Sequence, residues 1–184
     1  MYFAVFLANH RTQKNKENIT MFKNLTTKDI AFGAIIAAVY AVVTMTIVIP
    51  NQYAAVQFRI AEILTLLCFY NKKFIPALIV GTFIANLWSP FGWIDWVFGT
   101  GATAIAVMLM PYVKSIWIAG IFPVITNAVI IGIMCTYLYE VPFPLWLNIC
   151  FVGLGQFTVI LCGVLLFKLV LEKNRLFMRL ICSV

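Results

Sequence analysis

Six apolar runs occupy most of the chain, and Lys and Arg fall almost entirely outside them. The runs are Ile30 to Ile49, Ala54 to Tyr70, Phe74 to Trp88, Ile94 to Met110, Ser115 to Tyr139 and Leu145 to Leu171. In hydrocarbon every backbone N–H and C=O must find its partner within the protein, so each run is expected to be a helix. Several are shorter than the roughly 20 residues that span a bilayer, which a bundle tolerates when it buries their ends. The strict alternation of a membrane barrel is absent. The composition agrees: 64% of residues are hydrophobic and 10% charged, against about 25% charged in a soluble domain. The expected fold is an all-α integral membrane protein, a bundle of six transmembrane helices.

The basic residues set the orientation. One set of connections carries Lys23 and Lys28, then Lys72 and Lys73, then Lys114, then Lys173, Arg175 and Arg179. The alternate connections, Asn51 to Phe58, Ser89 to Trp93 and Glu140 to Pro144, carry none. Lys and Arg collect on the cytoplasmic side, so both termini are expected there. The net charge of +7 then belongs to the membrane surface, and nucleic acid is not an expected partner. Residues 1–26 read as a cytoplasmic extension, 27–171 as the transmembrane domain and 172–184 as a basic tail. Met21 reads as a natural start, with residues 1–20 upstream of it. A short interfacial anchor is the alternative for that segment.

Catalysis finds little support. The only histidine is His10, outside the apolar core, which removes His-based triads, HExxH zinc sites and haem ligation. No P-loop is present, so the chain is not expected to hydrolyse ATP. Asp29 and Asp95 are expected at opposite sides of the membrane, which removes an aspartyl pair. The five cysteines form no CxxC pair and read as small apolar packing groups. No cofactor or metal is expected.

Polar residues inside the runs are the remaining signal. An ionisable side chain at the centre of a membrane helix costs about 2.5–3.5 kcal/mol on insertion scales. Arg59 and Glu62 stand three residues apart in an otherwise apolar stretch, "VQFRIAEILTLL", and on a helix would share a face. They either pair to lock helices together or meet a ligand. Asn86, Asp95, Glu140 and Asn148 are expected near the outer face, with Asn127 and Gln156 deeper. Asp95 is equally suited to cap a helix, and Asn127 and Gln156 to bond between helices. Trp93 and Trp96 belong with Tyr53, Trp88, Tyr137, Tyr139 and Trp146 at one level, either as an interfacial belt or as stacking faces. Taken together, carboxylates, amides and flat rings at one depth suit a flat, polar heterocycle. In the first run Gly33, Ala34, Ala37, Ala38 and Ala41 recur at spacing four, a pattern that lets another helix approach closely. Internal packing would use it equally well.

The blocks "VQFRIAEILTLL", "IPALIVGTFIANLWSPFGWIDWVFGT", "FPVITNAVIIG" and "VGLGQ", in that order, resemble the QueT family across about Thr27 to Phe167. Its members are the substrate-binding S components of energy-coupling factor importers, multi-pass proteins of the bacterial plasma membrane assigned to queuosine precursors, the 7-deazaguanine bases. The resemblance implies a six-helix S-component fold with a pocket near the outer face. It implies docking on a transmembrane T component through small residues of the first helix, and energy from two ATPase subunits outside this chain. Carried over by position, the binding candidates are Arg59, Glu62, Asn86, Asp95 and Asn127. Gln156 stands where the resemblance leads one to expect glutamate, which leaves the identity of the 7-substituent open. Trp93, Trp96 and Glu140 complete the expected site. An S component for another small nutrient and a non-transporting membrane subunit are the competing readings.

Overall fold

The computed structural model describes residues 25–47, 58–139 and 141–183. Among them there are helices in each apolar run and no β-strand. Most of the N-terminal extension, the connection containing Pro50 and Tyr53, and Glu140 lie outside the described residues.

Helix α1, Thr27–Ile47, starts at a reciprocal cap. The Thr26 N–H donates to Asp29 Oδ2 at 2.8 Å and the Asp29 N–H to Thr26 Oγ1 at 3.3 Å, which satisfies two of the N–H groups a helix start leaves unpaired. Helix α2, Ile60–Tyr70, opens as a 3₁₀ helix over Ile60–Leu66 and finishes as one α turn. Arg59 precedes it with a non-helical ψ of 78°. The expected helical face shared by Arg59 and Glu62 therefore does not form: only the Arg59 carbonyl, accepting from the Glu62 N–H at 2.9 Å, belongs to the first turn.

Helix α3, Ile75–Asn86, carries Pro76 in its first turn, where its missing N–H costs nothing. Helix α4, Thr100–Leu109, follows a π turn at Asp95–Gly99. Helix α5 is Ile116–Tyr137. Helix α6, Leu145–Leu166, continues through a π turn at Phe167–Leu171. Three helices are long and apolar enough to cross a membrane, Thr27–Thr46, Ile116–Tyr137 and Leu145–Leu171. Helices α2, α3 and α4 are shorter; at about 1.5 Å per residue they reach less than the ~30 Å of hydrocarbon.

Small residues set the spacing between helices. A Cβ on Gly81 would lie 2.9 Å from both the Cα and the carbonyl oxygen of Ala37, and one on Gly33 3.2 Å from the Ala77 Cβ, so α1 and α3 touch backbone to backbone. Between α5 and α6, Gly120 faces Ile160 and Val164, Ala128 faces Gly153, and Gly132 meets the backbone of Ile149. Rising numbers on one helix meet falling numbers on the other, which makes the pair antiparallel. Gly163 of α6 receives Leu66 and Ile63 of α2. The core between them is Tyr40, Leu66, Leu78, Val107, Met110 and Ile160, among others. Ile35, Val80, Ile121, Leu154 and Phe157 point outward and are exposed, a girdle that suits lipid and not water.

The basic end of the bundle is tied by polar contacts. Lys73 Nζ bonds Asp29 Oδ2 at 2.8 Å, Lys168 pairs with Glu172 at 3.1 Å, and the Tyr70 hydroxyl donates to Glu172 at 2.8 Å. The segment read from sequence as a basic tail carries helix α7, Arg175–Ser183. Its Met178 and Ile181 are buried, and Asn71 Nδ2 donates to the Ile181 carbonyl at 2.9 Å.

Gly81→Val would drive α1 and α3 apart and is expected to lower stability by about 1–3 kcal/mol. Gly101→Ala, where a Cβ meets nothing within 4 Å, is expected to be neutral or mildly stabilising. Thermal unfolding of both variants in detergent checks the pair.

Candidate functional site

Two polar clusters lie between the helices. The outer one surrounds Asp95, at the π turn before α4. Asp95 is buried and its carboxylate accepts from the hydroxyls of Ser89 and Tyr139. Asn86 Nδ2 donates to the Asp95 carbonyl at 3.0 Å and to Thr100 Oγ1 at 3.1 Å. The ring of Phe91 stacks on Tyr139 at 3.7 Å. This network joins the end of α3, the start of α4 and the segment after α5. Each Asp95 carboxylate oxygen already has a donor, and Asn86 is committed to holding the turn. The π turn leaves room for the Asn86 amide: a Cβ on Gly99 would lie 3.0 Å from Asn86 Nδ2.

The inner cluster surrounds Glu62. Its side chain is 0% exposed. Oε1 accepts from the Tyr40 hydroxyl at 2.8 Å and from Thr103 Oγ1 at 3.2 Å, so α1 and α4 both reach it. The helix packing sets the depth of its neighbours. Gly163 touches Leu66; Glu62 lies about 8 Å before Leu66 along a 3₁₀ helix, and Gln156 about 10 Å before Gly163 along an α-helix. The two side chains share a level, and Gln156 approaches Glu62 without a hydrogen bond closing between Nε2 and Oε2. Ala128 faces Gly153, which puts Asn127 within a turn of Gln156. Asn127 and Gln156 are each 1% exposed.

These three residues have polar atoms without a partner. Among the described residues, the buried side-chain atoms that make no hydrogen bond are Glu62 Oε2, Asn127 Oδ1 and Gln156 Nε2. A buried polar atom left unmatched costs about 1–3 kcal/mol, and such atoms are rare. Three of them, contributed by α2, α5 and α6 at one depth, form a site that a polar ligand can complete. Asn127 is fixed in orientation, because its Nδ2 donates to the Pro123 carbonyl at 2.9 Å and Oδ1 must then point away.

The structure thus divides the residues singled out from sequence. Glu62, Asn127 and Gln156 come together, while Asn86 and Asp95 form the outer network. Arg59 is half-buried with Asp95, Tyr40, Glu62 and Tyr139 as its charged and phenolic neighbours. Among the described residues no ion pair within 4.0 Å includes it. Trp93 and Trp96 are exposed, at 62% and 37%. Glu140 lies outside the described residues. On α1, Gly33, Ala37 and Ala41 are buried in the bundle, whereas Ala34 and Ala38 are exposed. The small-residue pattern is two-sided: Gly33 and Ala37 meet α3, and Ala34 and Ala38 lie on the exposed side. Tyr40 and Thr103 were not among the expected site residues. The available signal was a hydroxyl on an apolar helix, which needs a partner once buried.

Comparison with known proteins identifies the family. The family model described as QueT transporter matches residues 30–172. A curated relative, the queuosine precursor transporter QueT of Lactococcus lactis subsp. cremoris (strain MG1363), is 39% identical over 88 residues. That match covers 47% of this chain and 52% of the relative, about half of its length. No solved structure matches.

Tyr40→Phe and Thr103→Val each remove a donor from the buried Glu62 carboxylate. Each is expected to lower stability by about 1–3 kcal/mol, and Thr103→Ser to restore it. Thermal unfolding in detergent measures the difference.

Proposed function

Because this chain belongs to the QueT transporter family, a family of membrane transporters and not of enzymes, we propose that it is the S component of an energy-coupling factor importer for a queuosine precursor. The ligand is a 7-deazaguanine base: 7-cyano-7-deazaguanine, 7-aminomethyl-7-deazaguanine or queuine. The observation that carries this reading is Glu62, a fully buried carboxylate with one oxygen unpartnered. A carboxylate there matches the N–H-rich edge of a deazaguanine through charge-assisted hydrogen bonds. The relative's name points to the same ligand class.

The remaining parts follow the same reading. All six apolar helices cross the bacterial plasma membrane, the short ones with their ends buried in the bundle, and both termini lie in the cytoplasm beside the basic residues. Substrate enters from the outer face, past the Asp95 network. Ala34 and Ala38, exposed on α1, offer the flat surface on which a T component docks. A pair of ATPase subunits drives release inward. Arg59, flanked by Asp95 and Glu62, balances the charge of the inner site while substrate enters.

Purified protein in detergent is expected to bind at least one of the three deazaguanines, and riboflavin not at all. Glu62→Ala is expected to weaken binding by at least about tenfold, equivalent to a lost hydrogen bond to a charged group. Isothermal titration measures both. A folded sample that binds no deazaguanine sinks the proposal. For docking, Ala34→Leu with Ala38→Leu is expected to leave ligand binding intact and to abolish co-purification with a T component.

A further inference from the structure

Building on the deazaguanine reading above, we infer that Glu62, Asn127 and Gln156 read the lactam–amine edge of the six-membered ring, and that Tyr40 and Thr103 are positioning residues that aim Glu62. The polarity of the unpartnered atoms is the argument. Glu62 Oε2 and Asn127 Oδ1 accept, and Gln156 Nε2 donates. A guanine-type edge presents the complement, two donors (N1–H and the 2-amino group) and one acceptor (O6). The order along the edge follows from adjacency. Gln156 lies beside Glu62, as O6 lies beside N1–H, so Glu62 takes N1–H and Gln156 donates to O6. Asn127, its Nδ2 held by the Pro123 carbonyl, takes the 2-amino group.

An adenine-type edge would set the N1 lone pair against the Glu62 carboxylate. A hypoxanthine-type edge would leave Asn127 Oδ1 unmatched in the core. A site whose buried polar groups are built to pair substrate N–H groups rejects analogues that lack them. Tyr40 and Thr103 matter because both donate to the same oxygen, Oε1. Without them the carboxylate could rotate and present either oxygen, and discrimination between edges would fall.

The test compares ligands before it compares variants, so it does not depend on any variant folding. The wild-type protein is titrated with 7-cyano-7-deazaguanine, 7-aminomethyl-7-deazaguanine, queuine and, for each, the analogue lacking the 2-amino group and the adenine-type analogue with a 6-amino group and no N1–H. The expected result is binding of at least one deazaguanine, with its 2-deamino analogue at least about a hundredfold weaker. Asn127→Leu should then bring the two ligands of that pair within a few-fold of each other. Tyr40→Phe should reduce the discrimination against the adenine-type analogue, which sets a lone pair where Glu62 takes N1–H, and Thr103→Ser should retain that discrimination where Thr103→Val does not. If no deazaguanine binds, the proposed function itself fails. If a deazaguanine binds and its 2-deamino analogue binds equally well, the function stands and this inference is overturned. Unchanged discrimination against the adenine-type analogue in Tyr40→Phe and Thr103→Val overturns the positioning role alone.

Discussion

Glu62, a carboxylate with no exposed surface, is held by the hydroxyls of Tyr40 and Thr103, and the helices carrying those hydroxyls must come to it. A charge in the middle of an apolar bundle is tolerated only where donors surround it. That requirement draws α1, α2 and α4 to one point, with α6 beside them through Gln156. It also explains the 3₁₀ start of α2. The tighter helix carries Glu62 inward directly after Arg59, and Thr65 Oγ1 closes on the Glu62 carbonyl at 2.6 Å, so the turn is stiff where the carboxylate is attached.

The helices reach that point because their contact faces are small. Gly81 lets α3 lie against the backbone of Ala37, which brings Tyr40, the next inward-facing aromatic of α1, over Glu62. Gly132 and Gly153 do the same for α5 and α6, so Asn127 and Gln156 arrive at one depth. Lipid supplies little hydrophobic drive between helices, so close van der Waals contact and buried hydrogen bonds carry the association. Among the described residues the ion pairs lie at the basic end, where Lys73–Asp29 and Lys168–Glu172 tie the ends of α1 and α6.

Asp95 and Glu62 are both buried acids on neighbouring helices, yet they differ in what they have left to offer. The Asp95 carboxylate is filled by Ser89 and Tyr139 and joins three chain segments. Glu62 is filled on one oxygen and unpartnered on the other. A completed network fixes structure; an incomplete one at the centre of the bundle is suited to a ligand. This contrast separates two acids that the sequence alone treats alike.

Hydrophobic run length and the placement of Lys and Arg were enough to read an all-helical membrane protein, because the absence of water in hydrocarbon leaves the backbone so few solutions. The rarity of Glu62, Asn127 and Gln156 within apolar runs was equally visible, since each costs free energy unless it is matched. Other properties depend on orientation across the bundle, which a linear pattern does not encode. Arg59 sits outside the helix it was expected to share with Glu62, because the backbone turns only after it. Gly33 and Ala37 proved to face α3 and Ala41 to be buried, while Ala34 and Ala38 face outward, a matter of helix rotation that spacing four cannot settle. Tyr40 and Thr103 became partners of Glu62 only when three helices met. The sequence determined which groups had to be matched, and the tertiary structure decided which of them match one another and which are left unpartnered.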